Sequence, residues 1–381
     1  MNFELSEEQT AIRDMARDFA AERLAPHADE WDEKGHFPLD VMQDAAKLGM
    51  AAMFVDPERG GTGLSRFDGS LVYEALAEGC PTISAYLSIQ NLVTYMVDAF
   101  GNDEQRDRWL PKLIPMEWAA SYCLTEPGSG SDSAALRTKA VRDGDDYVLN
   151  GTKQFISGAG DAQLYAVMAR TGDGGPDGIS TIMIEKGTPG LSFGGLERKM
   201  GWNAQPTRTV IMEDARVPVA NRLGEEGEGF KFAMQALDGG RINIASCSIG
   251  GAQAALDKAL TYTRERKAFG KQIAEFQSIQ FKLADMQTEL EAARLMIRRA
   301  ASALDNADPN VTQLSAMAKR FGTDAGFRIA NEALQIFGGY GYLKDYGIEK
   351  IVRDLRVHQI LEGTNEIMRM IIARKMLSGN V

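Results

Sequence analysis

Apolar residues recur at helical spacing along the N-terminal third of the chain and again along its C-terminal two fifths, with short alternating segments between. Near the start, Ser6 and Gln9 form a capping-box pattern, and Ile12, Met15, Ala16, Phe19 and Leu24 follow on one helical face. Such a stripe needs partner helices to cover it. Further helices are predicted around 39–49, 68–78, 82–100 and 103–111, divided by Pro57, the Gly60-Gly61 pair and Pro81.

The middle segments, Tyr147 to Leu149, Gln154 to Ser157, Leu164 to Arg170, Ile179 to Ile184 and Thr209 to Met212, read as strands. Asn150-Gly151 between two of them predicts a tight hairpin. No helical crossover intervenes, so the pattern predicts an antiparallel sheet or barrel and disfavours a doubly wound parallel one. Long helices are then expected near 228–264, 276–305 and 311–337, broken at Asp308-Pro309, with shorter ones near 345–355 and 364–378. The expected class is mainly α with a central β-domain. Its units are an N-terminal helical domain over 1–118, a β-domain over 119–224 and a helical bundle over 225–381.

A net charge of −11 and a pI near 5.0 argue against a nucleic-acid surface, which requires clustered Lys and Arg. Cys80, Cys123 and Cys247 are widely spaced, which suggests neither a disulfide framework nor a zinc site. With only His27, His36 and His358 and no H-E-x-x-H, no metal centre is expected. The acidic start MNFELSEEQ lacks the basic and apolar regions of a signal peptide, and no run reaches the ~18 apolar residues of a membrane span. The expectation is a soluble, unsecreted protein without membrane insertion.

Among residues that carry chemistry, Glu362 in VHQILEGTNEIMR stands out, because Ile360 and Leu361 precede it and Gly363 permits close backbone approach. Thr364 or Asn365 can cap the helix that follows. A carboxylate buried among apolar groups gains basicity, so Glu362 is a candidate base; taken alone, the segment also suits an exposed loop acid. The YCLTEPGSGSD stretch has Gly128-x-Gly130 but no third glycine and no βαβ context, which makes it a weak dinucleotide fingerprint. Its small residues would equally let backbone N–H groups and hydroxyls approach a planar ligand. In RERKAFGKQI, Arg266 beside Phe269-Gly270 suits a pyrophosphate followed by an adenine, or a solvated helix end.

Taken together, LEGTNE before an amphipathic helix, YCLTEPGSGSD at 122–132 and GGYGY at 338–342 resemble the acyl-CoA dehydrogenase family in order and chain length. The resemblance implies the family's fold: an N-terminal helical domain, an antiparallel β-barrel and a C-terminal four-helix bundle. It implies FAD as cofactor, met by Tyr122, Leu124, Thr125, Gly130 and Ser131, by Phe155, Ile156 and Ser157 on the next strand, and by Thr364 and Glu366. Phe155 stands where many members carry Trp, which keeps an aromatic face and loses an indole N–H. Arg266, Phe269 and Gln277, with Gln335, Gly338 and Gly339, would bind the adenine-diphosphate half of a neighbouring subunit's FAD, which implies at least a dimer and commonly a homotetramer. Ser131, Asp238, Arg241, Gly363 and Arg374 match acyl-CoA contacts.

Glu362 is the base the resemblance implies. The isovaleryl-CoA dehydrogenase subfamily carries its base just before the arginine of LDGGRINI, and here that position is Gly240. The family's reaction removes an α-proton and passes the β-hydrogen to flavin N5 as hydride, the thioester oxygen being held by the base's own backbone N–H and a ribityl hydroxyl. Electrons go on to electron-transferring flavoprotein. GWNAQPTR, GGRINIASCSIG and RVHQILEGTNEIMR look closest to the isobutyryl-CoA branch, with butyryl- and 2-methylbutyryl-CoA as alternatives, since one methylene is worth only ~1–3 kcal/mol in an apolar pocket. An oxygen-using flavoenzyme of the same fold is the other enzymatic reading, and a non-catalytic scaffold the reading outside enzymes. A bacterial cytoplasm or a mitochondrial matrix would suit the chain.

Overall fold

The Ser6 hydroxyl accepts the N–H of Gln9, and the Gln9 side chain returns the bond to Ser6, at the start of helix α1 (Glu7–Phe19). The computed structural model describes residues 4–378. A π-helical turn, Ala20–Leu24, extends α1 and brings Ala20 and Leu24 into the core with Ala16 and Phe19. Then come α2 (Ala28–Lys34), α3 (Leu39–Lys47), α4 (Arg66–Gly79), α5 (Pro81–Phe100) and α6 (Asp103–Leu113). The apolar pattern misses α2 because mostly charged residues surround its buried Ala28 and Trp31.

Eight strands follow: β1 (Ala120–Cys123), β2 (Lys139–Asp143), β3 (Asp146–Ser157), β4 (Leu164–Arg170), β5 (Ile179–Glu185), β6 (Leu191–Phe193), β7 (Thr207–Pro218) and β8 (Arg222–Leu223). They form one sheet in the order β6-β7-β3-β2-β4-β5-β8, with β1 joining β4. Pairing is mainly antiparallel, and β4 also runs parallel to β1 and to the start of β2.

The hairpin expected at Asn150-Gly151 does not exist. Both residues lie inside β3, at a register irregularity against β7, and the turn that joins β2 to β3 is Gly144-Asp145. Asn150 exchanges hydrogen bonds of 2.9 Å with Asp214 on β7, so it serves the ladder rather than a turn. A Cβ on Gly151 would stand 2.4 Å from Thr138 Oγ1, and that close approach is what requires glycine.

Helix α7 (Gly229–Glu265) begins the C-terminal part, and a two-stranded turn, β9 (Lys267–Ala268) with β10 (Lys271–Gln272), separates it from α8 (Gln277–Asp305). After α9 (Val311–Phe337) come α10 (Ile348–His358) and α11 (Asn365–Leu377). A Cβ on Gly250 would meet the Glu74 carbonyl at 2.1 Å, so small residues let α7 lie almost backbone to backbone on α4. One buried cluster runs from α1 through α4 and α5 into the sheet, and includes Tyr73 and Cys247; a second fills the space among α7, α8 and α9. The loop carrying Glu362 is closed in by α7 and α9.

Candidate active site

Between α10 and α11 the chain turns through Glu362, whose φ of +55° is left-handed backbone that costs a non-glycine residue about 1 kcal/mol or more. Leu361 packs on the core, and Thr364 caps α11 by accepting the Ile367 N–H at 3.3 Å. The turn sends the Glu362 carboxylate inward, where Oε2 is shut off from solvent with no hydrogen-bond partner, although the residue as a whole keeps some accessible surface. Burial pushes the carboxyl up to about 7, against the opposing pull of the Lys319 and Arg241 cations. The exposed-acid reading of this residue is thereby excluded. A Cβ on Gly240 would stand 2.5 Å from Oε2, so only glycine leaves the carboxylate its place.

Lys319, fully buried on α9, steadies the loop. Its ammonium donates to the Gly363 carbonyl at 2.8 Å and to Asn365 Oδ1 at 2.9 Å. Burial draws the Lys319 pKa down to about 8. Asn365, one of the two expected caps, is instead a buried junction that donates to Thr323 Oγ1 at 2.9 Å and Asp324 Oδ1 at 2.7 Å. On α7 the Arg241 guanidinium binds Asp238 at 2.7 Å, and Asp238 also accepts from Thr312 at 2.9 Å. Arg241 Nε and the Tyr122 hydroxyl are buried without partners, and both groups lie within electrostatic reach of Glu362. Unpaired buried polar atoms are rare, and two beside an unpaired carboxylate oxygen mark a place where a polar ligand belongs.

The glycine loop and β3 lie side by side. The Gln154 N–H donates to the Thr125 carbonyl at 2.8 Å, and buried Lys153 reaches the Leu124 carbonyl at 3.2 Å and Glu126 at 2.8 Å. Gly130 and Ser131 are exposed, and Phe155, at φ +59°, holds its ring 65 % exposed. Ser157 is partly buried next to this face. Ile156 departs from its expected role, since its side chain enters the core at 3 % exposure and only its backbone can border a ligand there. An exposed aromatic face, hydroxyls and a loop open to backbone approach fit a flat heterocycle with carbonyl and imide edges.

A second group forms elsewhere. Phe269 and Gly270, both at positive φ, are the two turn residues between β9 and β10, so the Phe269 ring projects 95 % exposed. Arg266 sits before this turn with its guanidinium 5.4 Å from the Tyr340 ring centre, and exposed Gln277 begins α8. Arg266, Gly338 and Gly339 line a hollow of about 360 Å³ at the end of α9, and Gln335 lies exposed one turn before it. A cation, open glycines and an exposed ring suit a diphosphate and an adenine. Glu366 in the first turn of α11 and Arg374 in its last are exposed, so Arg374 lies well away from the Glu362 carboxylate along that helix.

Sequence reasoning missed Lys319 and read Asn365 only as a helix cap. The signal was available: Lys319 interrupts a buried face made by Ser315, Ala316, Gly322 and Thr323, where a lysine requires a partner. Among the described residues no group of three His, Cys, Asp or Glu side chains could hold a metal ion, and no helix is long and apolar enough to cross a membrane.

Family models for the N-terminal, middle and C-terminal domains of acyl-CoA dehydrogenase match residues 6–117, 121–215 and 227–377. The chain is 57 % identical to mitochondrial isobutyryl-CoA dehydrogenase of Bos taurus, over 98 % of this chain and 90 % of that one. It superposes on butyryl-CoA dehydrogenase of Megasphaera elsdenii with a TM-score of 0.95 at 37 % identity, over 99 % of this chain and 100 % of the other. A chain from structural work on the electron transferring flavoprotein of Acidaminococcus fermentans matches with a TM-score of 0.96 at 40 % identity, over 99 % and 100 %. Motifs, fold and these matches agree: the chain belongs to the acyl-CoA dehydrogenase family and is an FAD-dependent oxidoreductase.

Proposed function

We propose that the protein dehydrogenates isobutyryl-CoA, a short branched acyl-CoA, to its 2-enoyl-CoA, with Glu362 as the base. The observation that carries this reading is the Glu362 carboxylate, unpaired, buried and poised at about 7 beside the unpaired Tyr122 hydroxyl and Arg241 Nε. Half-ionised near neutral pH, it can take an α-proton without a hydrogen bond having to be broken first. The Glu362 N–H finds no backbone acceptor among the described residues, which leaves it free to donate to the thioester oxygen and stabilise the developing enolate. The positive φ at this residue serves both tasks, turning carboxylate and N–H toward one space.

FAD, when bound, supplies the hydride acceptor. Tyr122, Leu124, Thr125, Gly130, Ser131, Phe155, Ser157 and the Ile156 backbone would hold its flavin half, with Thr364 and Glu366 near the loop of the base. Arg266, Phe269, Gln277, Gln335, Gly338 and Gly339 would hold the adenine-diphosphate half belonging to a second copy of the chain, which makes a homotetramer built as a dimer of dimers the assembly proposed. Ser131, Asp238, Arg241, Gly363 and Arg374 would position the acyl-CoA. Electron-transferring flavoprotein is the acceptor proposed, supported by the family and by the Acidaminococcus match. For location, the mitochondrial bovine relative supports a matrix, and a bacterial cytoplasm suits the same chemistry.

Anaerobic titration with isobutyryl-, butyryl- and isovaleryl-CoA, followed by flavin absorbance, tests the proposal. Isobutyryl-CoA is expected to bleach the flavin fastest. Faster bleaching by either of the others would overturn the substrate, and a bound flavin that none of them reduces would overturn the reaction.

A further inference from the structure

Tyr73, on α4, is completely buried, and its hydroxyl has no hydrogen-bond partner. Two routes of contact lead from Glu362 to it. Gly240 abuts the carboxylate; a Cβ on its neighbour Gly239 would meet Arg66 Nη1 at 2.7 Å. The Arg66 guanidinium in turn lies 3.8 Å from the centre of the Phe54 ring, and Phe54 packs on Tyr73 with ring centres 6.5 Å apart. The second route follows α7, where Gly240, Asn243 and Cys247 share a face. Asn243 Nδ2 donates to Ser88 Oγ at 3.1 Å, and Cys247 Sγ lies 3.2 Å from Ser84 Oγ, which itself donates to the Tyr73 carbonyl at 2.8 Å. The two routes meet at Tyr73, the first on its ring and the second on its backbone carbonyl. Its hydroxyl is within electrostatic reach of Glu362 and Cys247.

We propose that Tyr73 is the floor of the acyl pocket and sets the longest acyl chain the site can dehydrogenate; this rests on the acyl-CoA reading above and extends it to specificity. Ser84 donates its hydroxyl to α4 and Ser88 accepts from Asn243 on α7, which fixes α5 against both helices around the Tyr73 ring. A chain longer than that of a short acyl group must displace the ring or stop above it. A site that packs the end of a short acyl group against this ring rejects longer ones by overlap.

The test compares the wild type with Tyr73→Leu and Tyr73→Phe, using kcat/KM for flavin reduction by butyryl-, hexanoyl- and octanoyl-CoA, with bound FAD and melting temperature checked on each. Tyr73→Leu removes the ring and is expected to raise the hexanoyl-to-butyryl ratio about tenfold or more, on the scale by which an apolar pocket discriminates added methylenes. Tyr73→Phe keeps the barrier, and its ratio should move less than about threefold. Tyr73→Met, whose flexible unbranched side chain adapts better to an irregular gap, carries the same test should the leucine variant fail to fold. An unchanged ratio in a folded, FAD-bound leucine or methionine variant would overturn the proposal, as would equal gains from leucine and phenylalanine. Failure of the acyl-CoA reading shows separately, as a wild-type flavin that no short acyl-CoA reduces.

Discussion

Replacing Lys319 by methionine asks whether a buried cation tunes the base. The ammonium contacts the Gly363 carbonyl and Asn365 Oδ1, and it heads the two cationic influences that oppose burial in setting the Glu362 carboxyl at about 7. A unit charge 4–8 Å away, at an effective dielectric of ~20, is worth ~2–4 kcal/mol. Even a third of that raises the carboxyl by about one unit. At pH 7 the ionised fraction would fall from about half to about a tenth, so flavin reduction should slow about fivefold and recover toward pH 9. Stopped-flow reduction by isobutyryl-CoA under anaerobic conditions, from pH 6 to 9.5, reads the apparent pKa directly. Asn365→Ala is the control, since it removes the loop's hydrogen bonds to Lys319, Thr323 and Asp324 and keeps the cation; its rate should fall with no upward shift. An apparent pKa in Lys319→Met that is unmoved or lower, in a folded protein that retains its flavin, would refute the reasoning.

Glu362→Gln should keep fold and FAD while reduction falls by several orders of magnitude, and near-normal reduction would defeat the assignment of the base. Wild-type stability should also depend on pH: the folded carboxyl titrates near 7 instead of 4.5, so the wild type loses up to about 3 kcal/mol as pH rises between those values and the glutamine variant does not. Melting curves of the two should therefore separate from pH 5 to pH 8, with the variant gaining at the higher pH. Gly240→Ala places a Cβ 2.5 Å from Oε2 and should slow flavin reduction about a hundredfold through a displaced carboxylate, as measured by single-turnover kinetics. Arg266→Ala removes a charge-assisted contact of ~1.5–3 kcal/mol and should weaken FAD retention about tenfold or more, seen as a lower flavin-to-protein absorbance ratio after gel filtration.

Order and type of the long elements were legible because their patterns are local. The Ser6/Gln9 cap, the Asp308-Pro309 break and the long apolar stripes of α8 and α9 each act within a few residues, and each stands where the pattern puts it. Asn150-Gly151 misled because an Asn-Gly pair has the same appearance in a turn as in a bulge; the difference lies in Asp214 and Thr138, which only the folded sheet brings near. Helix α2 escaped notice because two buried apolar residues do not make a stripe. At the site, Glu362 could be named from its neighbours and from the family resemblance. Its cation could not, because Lys319 precedes it by more than forty positions and reaches it through the packing of α9 on the loop.

The absence of a side chain at position 240 has a steric meaning that elimination among family positions does not convey. A Cβ there and the Glu362 carboxylate would claim the same volume, one approaching from α7 and the other from the loop before α11. The space therefore admits a carboxylate from one element at a time. A base carried on α7 would require a small residue on the loop, and a base on the loop requires glycine on α7. With Glu362 as the proposed base, this chain takes the second arrangement and accepts a left-handed Glu362 to do so, with Lys319 and Asn365 holding the strained turn from behind. The strain is local to the one residue whose carboxylate and N–H must face the same substrate, which is where a strained backbone has a use.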